Sequence, residues 1–301
     1  MSLYFEWGIK QLNKRGEELC GDSVAVSRQP DSVTVAMSDG LGSGVKASIL
    51  ATLTTQIAMH LLQHELPVSD VVETLGKTLP VCAVRKLAYS TFAIAKFFRD
   101  GRARIVEFDT PPTILLRDRK RLPLEYGERT IADKKVRECL VELNQGDCVV
   151  LFSDGVLNAG IDGVYPLGWG LDAAAQFLES HAHPGLGAQE VADQLAQTVL
   201  ELYAGRAGDD VSIVVIKARH KITATVLTGP PAGRAMDQAV LRRFAERRGL
   251  HVVCGGTTAT IAARRLGASL EVDLETMRPD VPPLAHMPGM DLVTEGILTL
   301  T

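Results

Sequence analysis

Val33-Thr-Val-Ala-Met-Ser-Asp39-Gly40 and Cys148-Val-Val-Leu-Phe-Ser-Asp154-Gly155 share one pattern: an apolar run rich in β-branched residues stops abruptly at Ser-Asp-Gly. Each run reads as a strand, and glycine after the acid supplies the most permissive backbone. Asp39 and Asp154 are thereby placed at strand termini, where a rigid element holds a carboxylate against a cleft. Hard divalent cations find oxygen ligands in such places. Asp22 lies upstream in Gly21-Asp22-Ser23, and Asp209-Asp210 downstream, just before Val211-Ser-Ile-Val-Val-Ile216. A lone Asp-Gly is ordinarily a turn dipeptide, and Asp100-Gly101, Asp162-Gly163 and Gly146-Asp147 are read as turns. The matched Ser-Asp-Gly contexts set Asp39 and Asp154 apart.

Outward from these stretches, residues 4–108 are dominated by short β-rich runs. A long helical pattern from about Gly44 to His64 and a second from about Ser69 to Leu79 interrupt them. Phe92–Phe98 and Ala103–Phe108 read as strands joined by an Asp-Gly hairpin turn, which means antiparallel pairing. Further strands are expected at Ile114–Arg117, at Val141–Leu143 and at Val211–Ile216, with helices at about Leu171–Ser180 and Ala188–Ala204. Grouped antiparallel strands with paired helices imply an α+β layered sandwich over residues 1–218. Past Lys217 strand Ile222–Leu227, a Gly229-Pro230-Pro231 break, helix Met236–Arg248, strand His251–Cys254 and helix Thr258–Leu266 alternate, so residues 219–301 are expected to form a separate small α/β domain. The apolar ending Gly296–Thr301 carries no stop signal, and the native chain is expected to continue beyond it.

Thirty-two Lys and Arg against thirty-six Asp and Glu give a net charge of −4, with no basic block to follow a nucleic-acid backbone. Nucleic acid is therefore not an expected partner. The five cysteines, Cys20, Cys82, Cys139, Cys148 and Cys254, are well separated with no Cys-x-x-Cys pair, and are read as reduced. The N-terminus has no basic segment followed by an apolar run, and no stretch reads as the ~20 apolar residues of a membrane span. A cytoplasmic protein with no membrane partner is expected.

Several aspartates, no histidine cluster and no paired cysteines favour an oxygen-only site, suited to magnesium, manganese or calcium. Two such ions can hold a hydroxide and clamp a phosphoryl oxygen, which makes phosphate-ester hydrolysis the expected reaction class. No Gly-x-Ser-x-Gly elbow and no cysteine phosphatase loop offers a competing nucleophile.

These motifs together resemble the metal-dependent protein serine/threonine phosphatases of the PPM superfamily, in the bacterial SpoIIE and RsbX branch. The residues that carry the resemblance are Gly21-Asp22-Ser23, Ser38–Gly44, Ser90-Thr91, Thr110-Pro111-Pro112, Gly146-Asp147, Ser153-Asp154-Gly155 and Gly208–Ser212, in family order over about residues 1–218. The resemblance implies a four-layer αββα sandwich of two antiparallel sheets between helix pairs, with two divalent ions, Mn2+ or Mg2+, at one end of the sheets. It implies that Asp22, Asp39, Asp154 and Asp209 are catalytic. Asp22 and Asp39 would bridge and bind metal, Gly40 would lend its carbonyl, and Asp154 and Asp209 would hold the other metal. Asp210 joins the metal set, with the choice between Asp209 and Asp210 left open. The implied substrate is a phosphoserine or phosphothreonine protein of the anti-sigma-antagonist or stressosome type. Asn158 departs from the pattern, standing where many relatives carry glutamate, and the phosphate-binding arginine of eukaryotic members has no equivalent. Two rival readings are a regulatory binding protein on the same scaffold, with the C-terminal domain as its working part, and a hydrolase of small phosphate esters.

Other features read plainly. His60 and His64, four apart, lack the glutamate of a His-Glu-x-x-His motif and are read as a helix face. His181 and His183 are read as an exposed loop, Cys20 as a buried small filler, and Arg242-Arg243 with Arg247-Arg248 as a solvated helix face. Gly42-x-Gly44 before a helix is either a phosphate cradle or a tight turn. Cys254-Gly255-Gly256-Thr257-Thr258 is likewise a turn or the edge of a ligand pocket.

Overall fold

The computed structural model describes residues 2–64, 66–78, 90–131, 134–161, 163–230, 233 and 235–296. Leu79, Cys82, Asp162, Pro231 and the apolar ending 297–301 lie outside them. The chain divides into two compact units, Met1–His220 and Lys221–Thr301.

In the first unit the strands are β1 (Leu3–Leu12), β2 (Asp22–Arg28), β3 (Ser32–Asp39), β4 (Phe92–Phe98), β5 (Arg102–Phe108), β6 (Ile114–Arg117), β7 (Lys120–Leu122), β8 (Gly127–Ile131), β9 (Lys134–Glu142), β10 (Cys148–Phe152) and β11 (Val211–His220). The helices are α1 (Gly44–Gln63), α2 (Val68–Thr78), α3 (Asp154–Leu157), α4 (Leu171–His181) and α5 (Ala188–Leu202). One sheet has the order β1-β11-β10-β6-β7 and the other β2-β3-β4-β5-β9-β8, and every pairing in both is antiparallel.

Three apolar clusters stack these elements into four layers. Alternation along a strand sends successive side chains to opposite faces, so β3 gives Val33, Val35 and Met37 to the space between the sheets and Ala36 to the helix side. The central cluster joins Phe5, Ile105, Leu115, Leu151 and Val214 from the two sheets. Ala58, Met59 and Leu62 of α1 and Val71, Val72 and Leu75 of α2 cover one sheet. Leu178 of α4 and Val191, Leu195 and Val199 of α5 cover the other. This is the α+β layered sandwich that the strand and helix patterns imply, in the four-layer αββα form that the family resemblance implies.

Two sequence expectations change. Of the strand expected at Val141–Leu143, Val141 and Glu142 end the nine-residue β9 and Leu143 lies just beyond it; Glu138 of β9 is matched across strands by Arg104 and Arg129. Against the absence of a span-like stretch, α1 has 20 residues and is apolar enough by length and composition to cross a membrane. Its buried face, with Ala47, Ala51, Ala58 and Leu62, packs on the β2–β3 side of its sheet.

The second unit contains β12 (Ala224–Thr228), α6 (Asp237–Ala245), β13 (Leu250–Cys254), α7 (Gly256–Leu266), β14 (Glu271–Asp273), β15 (Leu284–His286) and β16 (Leu292–Thr294). Its sheet order is β12-β13-β16-β15-β14, parallel over the first three strands and antiparallel over the rest. Leu241, Phe244, Val253, Ala262 and Val293 form its core.

Candidate metal centre at the sheet ends

The register of β2 against β3 sets Asp22 directly opposite Asp39. Like charges facing each other across strands are destabilising. Asp154 begins α3, two residues beyond the end of β10, and Asp209-Asp210 immediately precedes β11. β10 and β11 are neighbours, and Ser153 N donates to Ser212 O, so these acids share one end of their sheet. Asp39, Asp154, Asp209 and Asp210 line a single cleft of about 310 Å³ with Ser38 and Thr110.

The two Ser-Asp-Gly glycines have a different reason from the one their sequence suggests. Neither Gly40 nor Gly155 has a positive φ. A Cβ at Gly40 would stand 2.1 Å from the Ala47 carbonyl oxygen of α1, and one at Gly155 would stand 2.1 Å from the Asp210 carbonyl oxygen. Space, not backbone freedom, requires glycine here. The same contacts press α1 against the Asp39 loop and Asp210 against α3.

Electrostatics mark the cluster. Burial first, then the charges of Asp22, Asp154, Asp209 and Asp210, push the Asp39 carboxyl up to about 8. Asp22 is pushed up to about 6, mainly by burial; the nearby Ser153 and Ser212 hydroxyls oppose the shift, and Asp210 and Asp154 add to it. Asp154 shifts the same way, through burial and then the charge of Asp209, with the Asn158 side chain opposing. Asn158 therefore supports the charged form of Asp154.

Asp22 is 5% exposed, and neither of its carboxylate oxygens has a hydrogen-bond partner. The serines beside it make their hydrogen bonds to other groups: Ser153 Oγ accepts from Ser212 N at 2.9 Å and donates to the Asp210 carbonyl at 3.5 Å, and Ser212 Oγ accepts from Gln11 Nε2 at 2.8 Å. A buried carboxylate without donors is costly. The donor set fits a hard cation: oxygen-only, anionic, and orphaned at its most buried member. Among the described residues no three His, Cys, Asp or Glu side chains close into a cage. A cation held by one or two carboxylates with water completing its shell is the habit of magnesium.

Lys14 is a participant that sequence reading passed over. Its Nζ lies 3.2 Å from Asp209 Oδ1, and its backbone N–H donates to Asp210 Oδ1 at 3.0 Å. Asp210 is buried and Asp209 half-buried, and both border the cleft. No local signal links Lys14 to residues 195 positions away.

The remaining sequence motifs resolve as follows. Gly42 and Gly44 take positive φ, and the Glu17 carboxylate occupies the start of α1, accepting from Ser43 Oγ at 2.8 Å. The chain's own anion stands where a phosphate would sit, so this is a tight turn. Asp100-Gly101 is the β4–β5 hairpin turn, and Asp147, itself buried, is gripped by Arg117 at 2.8 Å. His60 and His64 lie exposed on α1 and just past its end. His181 closes α4 instead of lying in a loop, stacked on Phe177. Cys20 is half-buried, its thiol pushed up to about 12 by burial and then Asp22. Cys20, Cys139, Cys148 and Cys254 are free thiols. Gly256 and Thr257 line a cavity of about 590 Å³ in the second unit.

Two antiparallel sheets between helix layers, with an acid-lined cleft at the sheet ends, define the PPM class of phosphatase folds. The chain belongs to the family of Stage II sporulation protein E (SpoIIE), whose family model matches residues 29–219. Stage II sporulation protein E of Priestia megaterium is 22% identical over 218 residues, covering 71% of this chain and 36% of that protein. Its counterpart from Bacillus subtilis (strain 168) is 21% identical over 218 residues, covering 71% of this chain and 26% of that protein. The chain thus spans little more than a third, or less, of these relatives' length. The solved PP2C phosphatase domain of Bacillus subtilis SpoIIE with a fragment of its regulatory domain superposes with a TM-score of 0.60 at 21% identity, over 74% of this chain and 65% of that one. RsbX, solved in complex with magnesium, gives 0.53 at 17% identity, over 71% and 95%. At these identities the structural likeness speaks for the fold.

Proposed function

We propose that this chain is a metal-dependent protein phosphatase that hydrolyses phosphoserine or phosphothreonine in a bacterial signalling protein. Asp22, Asp39, the Gly40 carbonyl, Asp154 and Asp209 would hold two divalent ions, Mn2+ or Mg2+, with Asp210 beside them. The observation that carries this reading is Asp22: buried, without a donor on either oxygen, and facing Asp39 across the strand pair. When bound, the ions would supply Lewis acidity toward water and the phosphoryl group.

The chain's own residues supply the frame. Ser153 ties β10 to β11 beneath the acids, Lys14 balances one of the charges on the Asp209 side, and Gly40 lets α1 close on the Asp39 loop. The substrate we infer is a phosphoprotein of the anti-sigma-antagonist or stressosome type, acted on in the cytoplasm; a solved protein of the bacterial stressosome shares the fold. The purified protein is expected to hydrolyse p-nitrophenyl phosphate only with added manganese, and Asp39→Asn to abolish that turnover. Turnover that survives EDTA would overturn the metal mechanism.

A further inference from the structure

β5 ends in the sheet that carries Asp39 and β6 begins in the sheet that carries Asp154, so residues 109–113 cross from one sheet to the other. Asp109, Thr110 and Pro111 line the cleft, and Asp109 holds a φ of 51°, an uncommon conformation for a non-glycine residue. Something must fix this segment, and two charged residues outside the cleft do so.

Glu107 shares the parity of Ala103 and Ile105 on β5, which places its side chain in the apolar space between the sheets, 1% exposed. Its Oε1 accepts from Thr113 N at 2.7 Å, from Thr113 Oγ1 at 2.7 Å and from Tyr126 OH at 3.0 Å. Arg137 is its cross-strand partner on β9. One guanidinium nitrogen, Nη2, lies 2.9 Å from Glu107 Oε2 and donates to the Thr110 carbonyl at 2.8 Å. Glu107 therefore grips the far end of the crossover and Arg137 its middle. A buried carboxylate in an apolar layer is expensive to keep, and what it gains here is attachment to the segment lining the cleft.

We propose that Glu107 and Arg137 are positioning residues for the Asp109–Pro111 wall, and that this wall grips the protein part of a phosphoprotein substrate beyond its phosphoryl group. The inference rests on the phosphatase reading. Asp39, Asp154, Asp209 and Asp210, which would hold the ions, line the same cleft, so the Asp109–Pro111 segment is left to meet what is attached to the phosphate. A small aryl phosphate offers little for that wall to hold, whereas a polypeptide offers backbone and flanking side chains.

The test compares phosphorylated casein with p-nitrophenyl phosphate, both with saturating manganese. Arg137→Met alone leaves a buried charge and risks misfolding, so the double variant Glu107→Gln/Arg137→Met is the principal probe. It keeps an acceptor for Thr113 and Tyr126 and removes both charges. The ratio of kcat/KM for casein to that for p-nitrophenyl phosphate is expected to fall about tenfold, the factor carried by one charge-assisted hydrogen bond, through KM and not kcat. Amide hydrogen exchange at residues 109–113 is expected to accelerate by a similar factor. An unchanged ratio, or equal losses on both substrates, overturns the proposal. If the unmodified protein hydrolyses neither substrate, the phosphatase reading falls, and unchanged exchange at 109–113 separately overturns the positioning role.

Discussion

Replacing Gly40 by alanine tests the tie between fold and site most directly. The added Cβ would lie 2.1 Å from the Ala47 oxygen, 2.6 Å from its carbonyl carbon and 2.8 Å from its Cα, all backbone atoms in α1. No side chain can rotate away, so α1 and the Asp39 loop must part by more than about 1 Å to reach ordinary contact distance. Overpacking of this kind costs about 1–3 kcal/mol. For a unit of this size that is a drop in Tm of roughly 2–12 °C. Displacing Asp39 relative to Asp154 by about 1 Å is expected to lower manganese-dependent turnover about a hundredfold. The assay pairs thermal unfolding with p-nitrophenyl phosphate kinetics, using Gly185→Ala as control. A Cβ at Gly185 meets no atom within 4 Å and its φ is not positive, so that variant should match the parent. A Gly40→Ala protein with the parent's Tm and turnover would refute the argument that helix contact at Gly40 sets the site.

Two further outcomes follow from the charges. In EDTA, Asp22 at about 6 and Asp39 at about 8 both stand above the ordinary 3.8. The native state thus holds protons the unfolded chain releases, and their stabilising effect is lost as pH rises through those values. Tm in EDTA is expected to fall from pH 5 to pH 9, less steeply in Asp22→Asn, and manganese should flatten it; a Tm that rises with pH over this range would contradict the shifts. Arg117→Met strands Asp147, whose side chain is 1% exposed, though the Asn144 N–H remains to it. Because Arg117 itself is partly exposed, a loss of about 3 kcal/mol in urea unfolding is expected, and one below about 0.5 kcal/mol would show the pair to be replaceable.

What could be read from sequence was local. Apolar alternation ending at Asp39 and Asp154 marks strand ends because side-chain period and chain breakers act within a few residues. The helices α1, α2, α4 and α5 fall within a few residues of their expected positions for the same reason. What sequence hid is non-local. The charged length of β9 is matched across strands, where Glu138 meets Arg104 of β5 and Arg129 of β8. Glu17 at the start of α1 and Lys14 beside Asp209 join residues far apart in the chain. The three-residue strands β14, β15 and β16 carry almost no periodicity of their own, and pairing in the sheet defines them. Even the Ser-Asp-Gly glycines were legible as glycines without their reason, since the atoms that exclude a Cβ come from α1 and from the residue before β11.

The buried acids of the first unit separate by what answers them. Glu107 has Arg137, Thr113 and Tyr126 around it; Asp147 has Arg117 and the Asn144 N–H; Asp210 accepts from the Lys14 backbone. Each of these is answered by a donor or a cation of the protein itself, Glu107 Oε2 by the Arg137 ion pair alone, without a hydrogen bond. Asp22 has no donor on either oxygen and faces another carboxylate across the strand pair. A fold selected for stability alone would place a hydroxyl or an apolar residue there, since an uncompensated buried acid is among the costlier defects a core can hold. Local rules broken without internal compensation are expected at functional sites. The conflict at Asp22 is therefore the strongest reason to assign these sheet ends to a cation and the chemistry it brings, and the better-answered acids elsewhere in the unit argue that the conflict is specific to the Asp22–Asp39 pair, of which Asp39 lines the cleft.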